Sequence, residues 1–453
     1  MSNLVLVSQL KKKISTILAS KQNNNLKQFI LKSVAGTFGM SVASAALGYM
    51  ITLLLARFLG AKGYGAYTFA LTLIGLIKLP TLLGLNTLII RELSISQTNQ
   101  SWNLSSGLLR WSNRVIIISS AILALAAVYL SWRFPQLIPS DALPVFWIGI
   151  LSLPLIALGH IRQAAMQAFG HIIKAQLPIV LARPMFLVAL FCGAYLTIGE
   201  QFTASWAMGM YFIANVVAFV LLLVYFNQSL PPEIKTVIPK FDGWKWIQSA
   251  LPMLLLDGMY LISTQTDTVM LGSLKGATEV GIYSVASRGA SLNSLILFAF
   301  NVSLGPTFAN LYAANNFKKL QQIVTQSCRM ILLATLPISL GLVIFSSSFL
   351  LMFGSEFIEG QNILYILCAG QIINASVGSV AVLLNMTRNQ NITAIGVGAG
   401  AVMNIILNSA LIPQWGAEGA AMATVASSLL CNSILTLSVY KRLKILSSPL
   451  AKF

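Results

Sequence analysis

The sequence predicts an all-α polytopic membrane protein of twelve transmembrane helices, arranged as two six-helix lobes related by a pseudo-two-fold axis along the membrane normal. Three observations lead there. Of 453 residues, 57% are hydrophobic and only 9% charged, whereas a soluble chain is about 25% charged; no water-soluble fold hides that much apolar surface. Apolar runs of about twenty residues, the length that crosses a ~30 Å hydrocarbon core, follow one another along the chain. A glycine-studded turn is also written twice, as "ARFLGAKGYGAYTFA" from Ala56 and as "MLGSLKGATEVGIYSVASRG" from Met270.

Taken in order between charged or Pro/Gly-rich breaks, the runs fall at about 34–59, 64–90, 115–132, 142–165, 176–197, 204–226, 246–271, 281–309, 329–353, 361–385, 391–412 and 417–439. Segment 1–33, with Lys11, Lys12 and Lys13, lacks the order of a cleavable signal and reads as a basic cytoplasmic segment. Residues 34–226 form the first lobe and 246–440 the second. The loop 227–245 joins them on the cytoplasmic side: Pro231 and Pro232 stop the preceding helix, and Trp244 and Trp246 anchor the next at the interface. A cytoplasmic tail, 441–453, ends the chain.

Lysine and arginine set the orientation. With the amino terminus inside, only Arg57, Lys62, Arg133 and Lys275 fall in outside turns, while most of the 29 basic residues lie inside. The acids Asp141, Glu200, Glu279, Glu356, Glu359 and Glu418 fall outside. Both termini are therefore expected in the cytoplasm, and the formal charge of +18 is explained without nucleic acid. Cys192, Cys328, Cys368 and Cys431 sit in or beside apolar runs at unrelated spacings, which suits neither a disulfide framework nor a metal site. No nucleophile-base pair, Gly-rich phosphate loop or metal spacing occurs, and the predicted loops are short. An enzyme, a metal and a cofactor are not expected.

Gly65-Ala66-Tyr67 and Gly281-Ile282-Tyr283 are separated by nearly half the chain. Both turns follow a Leu-Gly pair, Leu59-Gly60 and Leu271-Gly272, with a four-residue insertion assigned to Ala277–Val280 in the second. A weaker echo, "WGAEGAAMATVAS", starts at Trp415. Six spans between the first two copies return the chain to the same orientation, so the repeat is parallel and suits rocking of two rigid bundles.

"ARFLGAKGYGAYTFALTL", "IKLPTLLGLNTLIIREL" and "QTDTVMLGSLKGATEVGIYSVASR" resemble the polysaccharide flippases of the multidrug/oligosaccharidyl-lipid/polysaccharide exporter superfamily, over roughly Val34 to Tyr440. The resemblance implies movement of undecaprenyl-pyrophosphate-linked oligosaccharide to the outer leaflet of a bacterial cytoplasmic (inner) membrane, for cell-surface polysaccharide biosynthesis. It also raises an association with polysaccharide polymerase machinery. The triplet Lys78-Leu79-Pro80 resembles one in the lipid II flippases, but Gly84 and Leu85 stand where those carriers have paired arginines, so their substrate does not carry over.

Ionisable residues inside spans cost about 2.5–3.5 kcal/mol each on insertion scales and mark functional cavities. Lys78, Arg183 and Arg288 are the candidate pyrophosphate contacts, because arginine in particular grips phosphate oxygens through a planar fork. For Arg288 the resemblance adds a cavity-facing position after a tyrosine and an alanine. Asp257 and Asp267 are the candidate sites for coupling to H+ or Na+, with a salt bridge to a basic station as the alternative for Asp257. Arg57 and Asp267 are a candidate outer gate. His160 and Arg162 are expected at lipid headgroups, and Tyr49, Tyr260 and Tyr283 are open between sugar stacking and helix anchoring. The second reading of the whole is a cation-coupled exporter of small organic compounds from the same superfamily. An acid-rich, apolar cavity would favour it, whereas this interior holds three bases and two acids.

Overall fold

The structure, a computed structural model, describes residues 39–450 apart from the side chains of Ile198, Glu200, Lys235 and Leu256. The expected basic segment 1–33 lies outside the described residues. Helices account for nearly all of the rest: α1 (Gly39–Leu82), α2 (Leu85–Thr98), α3 (Trp102–Arg133), α4 (Leu143–Ile150), α5 (Leu153–Ala168), α6 (Ile172–Thr197), α7 (Ala204–Ser229), α8 (Gly243–Lys275), α9 (Ala277–Ala290), α10 (Leu292–Ala313), α11 (Phe317–Ile344), α12 (Ser355–Met386) and α13 (Gln390–Leu443). Among the described residues, eight helices are long and apolar enough to cross a membrane, or nine if the bent pair α4 and α5, at 45°, counts as one span. α1 and α13, at 44 and 54 residues, would at ~1.5 Å per residue overrun a ~30 Å core twice. Each is broken at a non-helical glycine, Gly60 in α1 and Gly416 in α13, and so reads as two passes.

Those glycines take positive φ, which a side chain at Cβ opposes. Gly60 (φ 64°, ψ −178°) and Gly276 (φ 93°, ψ −177°) share one conformation at corresponding places in the two lobes. Gly199 (φ 59°, ψ −131°) and Gly416 (φ 52°, ψ −130°) share another. The backbone thus matches Gly60-Ala61 to Gly276-Ala277 with no insertion. Matching Leu59-Gly60 to Leu271-Gly272 misplaced the second turn by four residues, because Gly272 is still helical and packs on Phe69.

The first lobe is built from α1 to α7 and the second from α8 to α13. They meet along two seams, α1 against α9, where Gly48 lies on Arg288, and α1 against α8, where Phe69 lies on Gly272 and Leu79 on Gly258. At the end distal to the interlobe linker the turns cross. A Cβ on Gly65 would overlap the carbonyl oxygen of Ala277, and one on Gly281 would overlap that of Ala61, so the crossing obeys the same two-fold relation as the repeat. The core there runs continuously from Leu55 and Phe69 to Val280 and Val285. Near the linker, Trp246 and Ala250 of α8 pack into the first lobe's cluster with Leu85, Leu88 and Ile161, so the second lobe's leading turns rest on the first lobe.

Two carboxylates hold the distal turns. Glu356 Oε2 accepts from the Ala61 N–H at 2.7 Å, across the lobes, and Glu279 Oε2 accepts from the Ala417 N–H at 3.0 Å. Each N–H opens a helix whose first amides have no partner of their own, and a carboxylate is favoured at that positive end. Gly65→Ala and Gly281→Ala are each expected to destabilise the protein by about 1–3 kcal/mol, the usual cost of overpacking. Gly75→Ala, which meets open space, should leave thermal unfolding of the purified protein unchanged.

Candidate functional site

Between the seams lies a cavity of about 1070 Å³, walled by α1, α6, α7, α8, α9, α12 and α13. Its lining is rich in hydroxyls and carries Arg183 from one lobe and Arg288 from the other. Asp267 is the single acid among the described lining residues.

Local structure places both arginines. Residues 178–182 form a turn of π-helix just before Arg183 and Pro184; proline supplies no N–H to the helical ladder and crowds the turn before it, and such π-turns recur at functional sites. Arg183 Nη1 donates to Asn215 Oδ1 at 3.3 Å, and its guanidinium lies 5.9 Å from the Tyr211 ring centroid. Asn215 is buried and held in turn by donating to the Tyr211 carbonyl at 2.7 Å. Arg288 ends α9, where a cation meets the negative end of the helix. Its guanidinium reaches across to α1, 5.6 Å from the Tyr49 ring centroid, and a Cβ on Gly48 would stand 2.6 Å from Nη2. The Tyr49 hydroxyl donates to the Arg288 carbonyl. Most of both guanidinium forks is left without a protein acceptor among the described residues.

Lys78 is half-buried and does not line this cavity. At i+7 from Leu71 it continues the cavity-facing stripe of α1 toward the linker end, close enough to Arg183 for their like charges to interact. Asp257 occupies the matching place on α8, exposed and seven residues before the lining residue Thr264. The two flank the point where Leu79 comes within 3.4 Å of a Cβ position on Gly258, and they form no ion pair.

Asp267 is 6% exposed. Oδ1 accepts from Asn404 Nδ2 at 3.0 Å and Asn408 Nδ2 at 2.7 Å; Oδ2 accepts from the Tyr283 hydroxyl at 2.6 Å and from the Thr424 hydroxyl. That donor set fits an ionised carboxylate, which only accepts. Asn408 Oδ1 is buried without a partner.

The expected outer gate is corrected by these partners. Asp267 is enclosed by donors of its own lobe, whereas Arg57 Nε donates to the Met352 carbonyl at 2.7 Å beside the Glu356 carboxylate. His160 lines a small pocket with Arg183 and Asn215. Arg162 folds back, with Nη1 donating to the Leu158 carbonyl at 3.0 Å and the guanidinium 4.8 Å from the Phe219 ring centroid. Sequence reasoning missed Asn404, Asn408 and Thr424 entirely. Their signal, neutral polar residues spaced at i and i+4 in an apolar helix, is also that of ordinary helix packing.

Two like lobes with a charged chamber between them define a multi-pass membrane transporter. The model of the family described as "Polysaccharide biosynthesis protein" matches residues 30–312, and that described as "MatE" matches residues 252–409. The chain belongs to the polysaccharide biosynthesis protein family. It is 24% identical over 413 residues to the "Probable low-salt glycan biosynthesis flippase Agl15" of Haloferax volcanii, spanning 90% of this chain and 82% of that one. In fold it is similar to an inward-facing multidrug resistance MATE family transporter (TM-score 0.75, 12% identity, 88% of this chain and 94% of that one). It is also similar to the lipid II flippase MurJ in an inward closed conformation (TM-score 0.68, 16% identity, 90% and 87%).

Removing the Tyr283 hydroxyl as Tyr283→Phe takes one donor from a buried carboxylate. Hydrogen bonds to charged groups contribute about 1.5–3 kcal/mol, and thermal unfolding should register a loss in that range.

Proposed function

We propose that this protein is a flippase that moves undecaprenyl-pyrophosphate-linked oligosaccharide from the cytoplasmic to the outer leaflet by alternating access. Twelve passes result if α1 and α13 count as two each, the bent pair as one and α8 as one. The linker and both termini lie in the cytoplasm, so the crossed glycine turns close the outer face and the cavity faces inward. The observation that carries the reading is the pair Arg183 and Arg288, offered from opposite lobes into one cavity whose single acid is already satisfied by four donors. A pyrophosphate bridging them would draw the lobes together, since each guanidinium gains a charge-assisted, bidentate partner in a low-dielectric site. Lys78 stands on the same stripe nearer the cytoplasm and serves as the entry station.

The cavity volume of about 1070 Å³ lies at the upper edge of the ~300–1,000 Å³ usual for small-molecule sites, and its hydroxyl-rich lining suits sugar. A cation-coupled exporter of small organic compounds, the second reading, calls for more acid than this lining offers, where Asp267 stands beside Arg183 and Arg288. The relatives named above as flippases support the same choice. Coupling to H+ or Na+ is assigned to Asp267 rather than Asp257, because Asp267 is buried at the cavity wall among the polar side chains of Tyr283, Asn404, Asn408 and Thr424, whereas Asp257 is exposed.

In proteoliposomes loaded with a fluorescent lipid-linked glycan, Arg183→Ala with Arg288→Ala should lower the flipping rate at least tenfold; an undiminished rate contradicts the assignment. Asp267→Asn should abolish whatever dependence on a Na+ or H+ gradient the wild type shows, while Asp257→Asn keeps it.

A further inference from the structure

A second cavity of about 260 Å³ adjoins the central one in the second lobe, between α8, α12 and α13. Tyr260, Ser263, Thr264, Gln371, Thr424 and Ser428 line both cavities. No charged side chain is found among its described lining residues. What it offers is amide: Gln371 has no hydrogen-bond partner among the described residues, and Asn432 Nδ2 donates to Asn374 Oδ1 at 3.0 Å. That bond leaves the Asn432 carbonyl oxygen free to accept and the Asn374 amide free to donate. Tyr260 stands at the mouth, 69% exposed, its ring without an aromatic partner and its hydroxyl without a hydrogen-bond partner among the described residues.

We propose that this side chamber is a saccharide subsite, taking one neutral sugar of the glycan head while the pyrophosphate lies between Arg183 and Arg288. The inference rests on the flippase reading above and names where its glycan is held. Three chemical features carry it. Side-chain amides present a donor and an acceptor together, which is what vicinal hydroxyls and an N-acetyl group require. The volume equals that of about nine waters at ~30 Å³ each, room for one pyranose ring and not for a chain of them. The absence of charge leaves an acidic sugar without a counter-ion, so burial of its carboxylate would go uncompensated. The exposed Tyr260 ring gives the apolar face of a pyranose something to lie on, and the remaining sugars extend into the wider central cavity.

The chamber also borders Asn404 and Thr424, which bond Asp267, so the test must separate sugar binding from a route for cations. The full-length protein in nanodiscs is titrated with two probes, undecaprenyl pyrophosphate and undecaprenyl-pyrophosphate-linked N-acetylglucosamine, at fixed Na+. The wild type should bind the sugar-bearing lipid about tenfold more tightly than the bare one. Gln371→Ala, and separately the volume-preserving Gln371→Met, should erase that preference while leaving affinity for the bare lipid unchanged; Asn432→Ala should act in the same way. A preference that survives all three variants, or no preference in the wild type, overturns the chamber and leaves the flippase reading standing. An equal loss for both lipids overturns it too, and assigns the chamber to cation access or to stability. If the wild type binds neither lipid, the flippase reading falls and the chamber with it.

Discussion

Two polypeptide backbones can approach to carbonyl contact only where Cβ atoms are missing, and the closed end of this molecule depends on that happening twice. Gly65 lies against Ala277 and Gly281 against Ala61, so one contact is the two-fold image of the other. A single crossing would be a hinge; a symmetric pair is a seal, because neither turn can slide without separating its own glycine from the opposing carbonyl. The hydrogen bond from Ala61 to Glu356 and that from Arg57 to the Met352 carbonyl add polar latches across the same end. Everything below the seal, including the volume of the cavity and the separation of the arginines, is set by how the two lobes diverge from it.

The electrostatic arrangement follows from where charge is answered and where it is left open. Asp267, the acid of the cavity, is fully occupied by donors from its own lobe, so it does not neutralise Arg183 or Arg288. The two arginines are instead positioned by rings and by one neutral amide, through Tyr211, Asn215 and Tyr49. Aromatic faces hold a guanidinium without using up its donors on an anion, and the forks stay available to phosphate. Lys78 and Asp257 flank the same seam without pairing with each other.

Much of this was legible in the sequence because the membrane makes it so. An apolar run of fixed length has few alternatives to a spanning helix, and a charge within such a run points to a cavity, which is why Lys78, Arg183 and Arg288 stood out; Arg183 and Arg288 line it and Lys78 does not. The repeat was legible as a string, but its register was not: Leu-Gly recurs at 59–60 and 271–272, and only the backbone angles show that Gly276, not Gly272, is the counterpart of Gly60. Arg57 was read as pairing with Asp267 across the lobes, but it donates to the main-chain carbonyl of Met352, which no sequence pattern marks. The asparagines around Asp267 come from α13, several helices further along the chain, and are neutral, so nothing in composition or spacing tied them to that acid.

The proposed flippase requires one basic chamber that faces the cytoplasm in this state and takes a pyrophosphate lipid there. It is tested most directly by side-specific labelling of Ser287→Cys, a cavity-lining position, in a protein whose Cys192, Cys328, Cys368 and Cys431 have been replaced. A membrane-impermeant maleimide should react from the cytoplasmic face and be blocked by undecaprenyl pyrophosphate. Reaction from the outer face alone, or cytoplasmic labelling that the lipid does not slow, would contradict it.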